Sequence, residues 1–343
     1  MSSAAPAQQV AIQKEKRKPR AAALKLPIIP AREDPFAPNN HHKGQPRAMP
    51  LPLPPSSEVA LEELEKVCRL GSGSSGKVYK ARHVHTGAIY ALKIIQEKHD
   101  AQVRQQIKRE MEILRRALNP HVVRCYGVFD RGGEISFVLE YMDAGSLADV
   151  LAAHRRIPEP FLARVAAHCL QGLLYLHKNK IVHRDIKPSN LLINRRREVK
   201  IADFGVSKVL DSTLAQCNSY VGTCAYMSPE RFNPDAQDGH YDGCSADIWS
   251  LGLSLLECAM GRFPCLPPGQ KPDWPTLMMA ICMGDPPAPP ADSSPEFQSF
   301  IRACLQKNAC LRPSAKHLLT HPFLTKYKEK DCDLSPLLKS LQL

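Results

Sequence analysis

The chain has no run of residues fit to cross a bilayer. Its longest apolar stretch, Ile248 to Met260, is interrupted by Ser250, Gly252, Ser254 and Glu257, and it is too short for the roughly 30 Å of hydrocarbon that a spanning helix must cover. It reads as a buried helix. No apolar signal core follows Met1, and Ser2 offers no glycine for an N-terminal acyl chain, so neither secretion nor a membrane anchor is expected. The 12 cysteines are scattered from Cys68 to Cys332 without a Cys-x-x-Cys pair. That excludes the common zinc-clamp spacing and points to reduced thiols in a cytoplasmic protein, with the nucleus also open. There is no internal repeat, no recognition helix and no aromatic RNA motif. A net charge of +12, from 46 Lys+Arg against 34 Asp+Glu, suits a phosphorylated ligand or an acidic protein as well as nucleic acid. With no motif behind it, a nucleic-acid partner is not expected.

What is present is a hydrophobic fraction of 43% in 343 residues, enough for two packed lobes plus tails, since single cores stop growing at about 250–300 residues. Residues 1–60 are rich in proline and charge but carry no sustained apolar period, so they read as a disordered basic arm. From Leu64 the pattern turns to short β-rich runs at Tyr90–Ile95, Val122–Phe129 and Ile135–Tyr141. After about Leu147 it becomes mainly helical. The expected architecture is α+β and bilobal, a small β-rich lobe before a larger helical one, over residues 64–323 with a tail at 324–343.

Four patterns carry chemistry. Gly71-Ser72-Gly73-Ser74-Ser75-Gly76-Lys77-Val78 lies between two strand-like runs, and glycines there let backbone N–H groups approach phosphate oxygens. A dinucleotide fold would require a helix directly after the loop, where this sequence gives a strand. Next, Lys93 shares one strand face with Ala91 and Ile95, so its ammonium needs an anion. Glu110 lies almost on the apolar seam of a helical segment containing Val103, Ile107, Met111, Leu114 and Leu118, which makes it the candidate partner. Finally, His183-Arg184-Asp185-Ile186-Lys187-Pro188-Ser189-Asn190 gathers a base, a cation and a metal ligand in one loop, and a predicted hairpin of Leu191–Ile193 with Val199–Ile201 presents Asp203, followed by Phe204 and Gly205. Asp185 is the candidate to take or orient a hydroxyl proton and Lys187 to neutralise a transferring phosphoryl group. Asn190 and Asp203 are candidate ligands for magnesium.

Together these motifs resemble those of a eukaryotic protein kinase from about Leu64 to Phe323. Ser228-Pro229-Glu230 would close the activation segment, with serine in place of the usual alanine, and Asp247-Ile248-Trp249 would open the large-lobe helix. The resemblance implies ATP and Mg as cofactors and an ATP site formed by Leu70, Gly71, Ser72, Gly73, Ser74, Ser75, Gly76, Lys77, Val78, Ala91, Lys93, Glu140 and Met142. It also implies a Glu230–Arg312 pair. Within kinases, Val199 to Lys208, Cys217 to Thr223 and Tyr226 to Arg231 are similar to a MAP kinase kinase, whose substrate is a MAP kinase and whose activator is an upstream MAP kinase kinase kinase. Thr213 and Ser219 are separated by five residues, as in plant members, and are the expected phosphosites, with Ser212 competing for the first. Their phosphates would order the loop against Arg184. In the arm, Lys16, Arg17, Lys18 and Arg20 followed by Leu24 and Leu26 resemble a MAP kinase docking motif; a nuclear-import signal and a solvated charge run are the alternatives. Leu334 to Leu341 reads either as a partner contact or as ordinary packing.

Overall fold

Alternating apolar and polar residues between Leu64 and Glu140 form a five-stranded antiparallel sheet in the computed structural model. It describes residues 59–73, 76–96, 105, 115, 118–131, 133–203, 224–232, 242–267, 269–270 and 273–327. Residues 1–58 of the basic arm, Ser74, Ser75, Glu110, Thr213, Ser219 and the tail beyond Tyr327 lie outside those residues. The strands are β1 (Leu64–Gly73), β2 (Gly76–His83), β3 (Ile89–Gln96), β4 (Cys125–Arg131) and β5 (Glu134–Glu140), in the order β1-β2-β3-β5-β4. One face buries Leu92, Ile94 and Val138 with Val59 and Ala81. The other contributes Ile95, Ile135 and Phe137 to the main core of the large lobe, so β3, which carries Lys93, is packed on both sides.

The run expected from Val122 starts as a sheet strand only at Cys125. Val122 forms a parallel bridge with Ile201, and the Val123 N–H donates to the Ile201 carbonyl at 2.9 Å. These β-branched residues pair with the large lobe instead, fastening the two lobes behind the cleft.

The large lobe is built on α1 (Leu147–His154), α2 (Glu159–Lys178), α3 (Gly243–Met260) and α4 (Pro295–Cys304). Ser146 caps α1 with a reciprocal capping box to Asp149, satisfying donors that a helix start leaves open. Helix α2 buries Leu162, Val165, Cys169, Leu173 and Leu176 on one stripe. Gly172 is required on this helix because a Cβ there would stand 2.8 Å from the His121 carbonyl oxygen. Helix α3 begins at the Asp242 cap and stops at Gly261, whose φ of 76° is left-handed. Behind α2 the two-stranded hairpin β6 (Leu191–Ile193) and β7 (Val199–Ile201) forms as the sequence predicts.

Candidate active site

The glycine-rich loop is the tip of the β1–β2 hairpin, where Gly73 pairs with Gly76 across Ser74 and Ser75. Gly76 has a φ of +115°, and a Cβ there would lie 2.3 Å from the Ile94 carbonyl oxygen. Only glycine lets the loop bend back over β3 at this point. Leu70, Gly71 and Ser72 stand on the β1 arm, Lys77 and Val78 on the β2 arm. Val78 pairs with Lys93, and Ala91 with Leu139 of β5, so Val78, Ala91, Lys93 and Leu139 share one face of the sheet.

Lys93 is 2% exposed, and its Nζ donates to Asp203 Oδ1 at 2.8 Å. Partial desolvation works against ionising Asp203. The charge and hydrogen bond of Lys93, with His183 and Lys187 nearby, nevertheless hold its carboxyl below the usual carboxylate range. Asp203 has a φ of 61°, an uncommon conformation outside glycine that functional sites often hold.

The loop from His183 to Asn190 converges on the same place. Lys187 Nζ lies 2.8 Å from Asp185 Oδ2, and the Asn190 amide donates to the Asp185 carbonyl and carboxylate at 2.8 and 2.9 Å. The Ala202 N–H donates to the Asn190 carbonyl at 2.9 Å, and His183 Nε2 meets the Ala202 carbonyl at 2.8 Å. The loop is thereby tied to the residue preceding Asp203. Arg184, with a φ of 71°, accepts at its carbonyl from Arg231 Nη1 at 2.8 Å. Its buried Nε has no acceptor among the described residues.

Sequence reasoning recognised Asp247 only as the opening of a helix. In the structure it is fully buried and receives the backbone N–H groups of His183 and Arg184 at 2.9 and 2.8 Å, and His177 Nε2 at 2.9 Å. The sequence signal was a lone acid at the head of an apolar run. Also missed was an apolar patch of Val123, Met142 and Ala202 backed by Leu139 and Leu192. It joins four separate segments, so no local pattern announces it. Glu140, expected at the ATP site, directs its carboxylate to Lys200 at 2.6 Å. Glu110 lies outside the described residues; the described partner of Lys93 is Asp203.

A glycine hairpin over a buried lysine, facing a loop with a carboxylate, an amide and a second lysine and a further carboxylate just beyond β7, defines a protein kinase. Residues 64–324 match the protein kinase domain family. The chain is 48% identical over 310 residues to mitogen-activated protein kinase kinase 9 of Arabidopsis thaliana, covering 90% of this chain and 97% of that protein. It is 52% identical over 268 residues to mitogen-activated protein kinase kinase 7 of the same plant, covering 78% and 86%. It is also 47% identical over 291 residues to mitogen-activated protein kinase kinase 1c of Physcomitrium patens, covering 83% of each. The chain belongs to the MAP kinase kinase family of protein kinases, enzymes that use ATP and a divalent metal.

Proposed function

We propose that this enzyme is a dual-specificity MAP kinase kinase, transferring the γ-phosphoryl group of ATP to threonine and tyrosine of a MAP kinase activation loop. The observation that carries the site assignment is the gathering of Lys93, Asp185, Lys187, Asn190 and Asp203 by direct contacts and by the Ala202 bridge. The metal donors it offers are hard oxygens from one amide and one or two carboxylates. No group of three or more His, Cys, Asp or Glu that would hold an ion by itself occurs among the described residues. This donor set fits magnesium, which commonly takes one or two protein ligands and completes its shell with phosphate and water. Asn190 and Asp203 would hold it, and when bound with ATP it supplies neutralisation of phosphate charge.

The protein side of the reaction is positioning and electrostatics. Backbone N–H groups of the Gly71–Val78 loop cover the phosphates, and the flanking Leu70, Ala91 and Met142 contact the base. Lys93 holds the phosphate oxygens nearest the base. Asp185 orients the attacking hydroxyl and takes its proton, and Lys187 stabilises the charge that builds on the transferring group. Asp247 keeps the loop in register through the N–H groups of His183 and Arg184. Arg184 Nε, which has no acceptor among the described residues, supports a further step: phosphates on Thr213 and Ser219, placed by an upstream kinase, supply an anion and order the activation segment. Lys16, Arg17, Lys18 and Arg20 grip an acidic patch of the substrate while Leu24 and Leu26 enter an apolar groove. A cytoplasmic site of action, extending to the nucleus, is in keeping with cysteines scattered along the chain without a Cys-x-x-Cys pair.

Incubation with a catalytically inactive MAP kinase, followed by mass spectrometry, tests this reading. Phosphothreonine and phosphotyrosine in its activation loop are expected, lost with Asp185→Ala. Serine or threonine products without phosphotyrosine would place the enzyme in another cascade tier.

A further inference from the structure

Glu140 ends β5, just where the sheet passes into the large lobe, and Lys200 is the central residue of β7, three positions before Asp203. Lys200 Nζ lies 2.6 Å from Glu140 Oε1, with only 10% and 15% of the two side chains exposed. The other carboxylate oxygen of Glu140 accepts the Arg124 N–H at 3.3 Å, while the Glu140 N–H donates to the Arg124 carbonyl at 2.8 Å. The Lys200 end is equally fixed. On its C-terminal side the Ile201 N–H donates to the His121 carbonyl at 2.9 Å, and the Ile201 carbonyl receives the Val123 N–H. A second carboxylate, Glu198, stands 4.0 Å from Nζ and is held by Asn194 Nδ2 at 2.5 Å and Arg196 Nη2 at 3.2 Å.

A covered ion pair of this kind is a poor source of stability, because desolvating both charges offsets most of their attraction. What it does well is fix position. The pair joins the end of β5 to the strand that leads to Asp203, and Met142 and Ala202, which follow these two strands, meet in one apolar patch.

We infer that Lys200 is a positioning residue for nucleotide binding, clamping Glu140 so that the backbone entering Tyr141 and Met142 is set against the base while Asp203 is set against the phosphates. Lys200 touches neither substrate. Without its ammonium, the Glu140 carboxylate is left covered and uncompensated. It must turn toward water, moving the end of β5 with it. Asp185 and Lys187 are untouched, so the loss falls on ATP binding rather than on the transfer step.

This inference rests on the kinase reading of the site, and steady-state kinetics of the activated full-length enzyme separate the two. Lys200→Met is expected to raise the KM for ATP about tenfold, with kcat within about twofold of the parent and the KM for the MAP kinase unchanged. Lys200→Arg should restore the ATP KM. The double variant Glu140→Gln with Lys200→Met should lose less than the product of the two single effects, since it leaves no orphan charge, and it provides the measurement if Lys200→Met folds poorly. Lowered melting temperature and kcat with an unchanged ATP KM would reduce Lys200 to a structural residue and overturn the inference. So would a raised kcat at unchanged KM, the mark of a restraint on activity. Asp185→Ala is assayed alongside. If it retains full activity the kinase assignment of the site fails, whereas an inactive Asp185→Ala beside an unaltered ATP KM in Lys200→Met defeats only the role given to Lys200.

Discussion

Lys93 Nζ and Asp203 Oδ1 stand 2.8 Å apart, joining β3 of the small lobe to the residue just beyond β7 of the large one. The ammonium is almost wholly covered, and the carboxylate is held ionised by it. The pair brings a covered cation of the small lobe and an ionised carboxylate of the large lobe to one point.

Lys93→Met should therefore retain the fold and lower kcat/KM by about a hundredfold or more, the usual scale for losing one preorganised charge at a transferring group. Steady-state kinetics beside a circular dichroism spectrum check this, and an active Lys93→Met would show that the pair has no part in transfer.

Arg312 grips both oxygens of Glu230 at 2.6 and 2.7 Å, with both side chains buried. Arg312→Met leaves that carboxylate without its partner and is expected to destabilise the protein by about 3–5 kcal/mol. Adding Glu230→Gln should recover part of the loss, measured by urea denaturation of the parent and the two variants.

His177 gives the large lobe an alkaline dependence. Burial disfavours its charge, but the hydrogen bond and charge of Asp247, with the Cys244 thiol, raise its pKa from 6.5 to about 10. The raised value means that the folded state holds the proton more tightly than the unfolded chain. The resulting stabilisation is complete below about pH 6.5 and disappears as pH rises through about 10. His177→Gln, which keeps a donor for Asp247 without the charge, should flatten this part of the stability profile. An identical alkaline slope in parent and variant would rule the pair out as its source.

The opposite dependence is expected behind the cleft, where the rings of His121 and His168 lie 4.4 Å apart. Burial lowers the pKa of His168 to about 4, helped by the charges of His121 and Arg164 and opposed by Glu198, and burial also lowers that of His121. The unfolded chain then binds protons that the folded one rejects. Stability from this pair is intact above about pH 6.5 and is lost as pH falls toward 4. Thermal unfolding of His168→Gln across that range should show a shallower acid slope than the parent.

The strand–loop–strand at Gly71–Val78 and the run from His183 to Asn190 were legible in the sequence because each keeps its chemistry within a few residues of backbone. Glycine at position 76 and the Asn190-to-Asp185 hydrogen bonds are local requirements, and local requirements leave a local pattern. The hairpin of β6 and β7 was legible for the same reason. The start of β4 was not: Val122 and Val123 look like sheet residues, and their pairing with Ile201 depends on where the large lobe presents that edge. Nor did any pattern reveal the patch of Val123, Leu139, Met142, Leu192 and Ala202.

By itself the sequence determined which reactive groups this enzyme owns, their order along the chain, and the division into a sheet lobe and a helical lobe, because periodicity and turn chemistry act over short spans of backbone. Tertiary structure alone decided which groups meet. Asp203 lies beside Lys93, Glu140 is turned to Lys200, and Asp247 receives the N–H groups of His183 and Arg184. Each of those pairings joins residues far apart in the chain, and a covered charge finds its partner only when packing has closed both lobes around it.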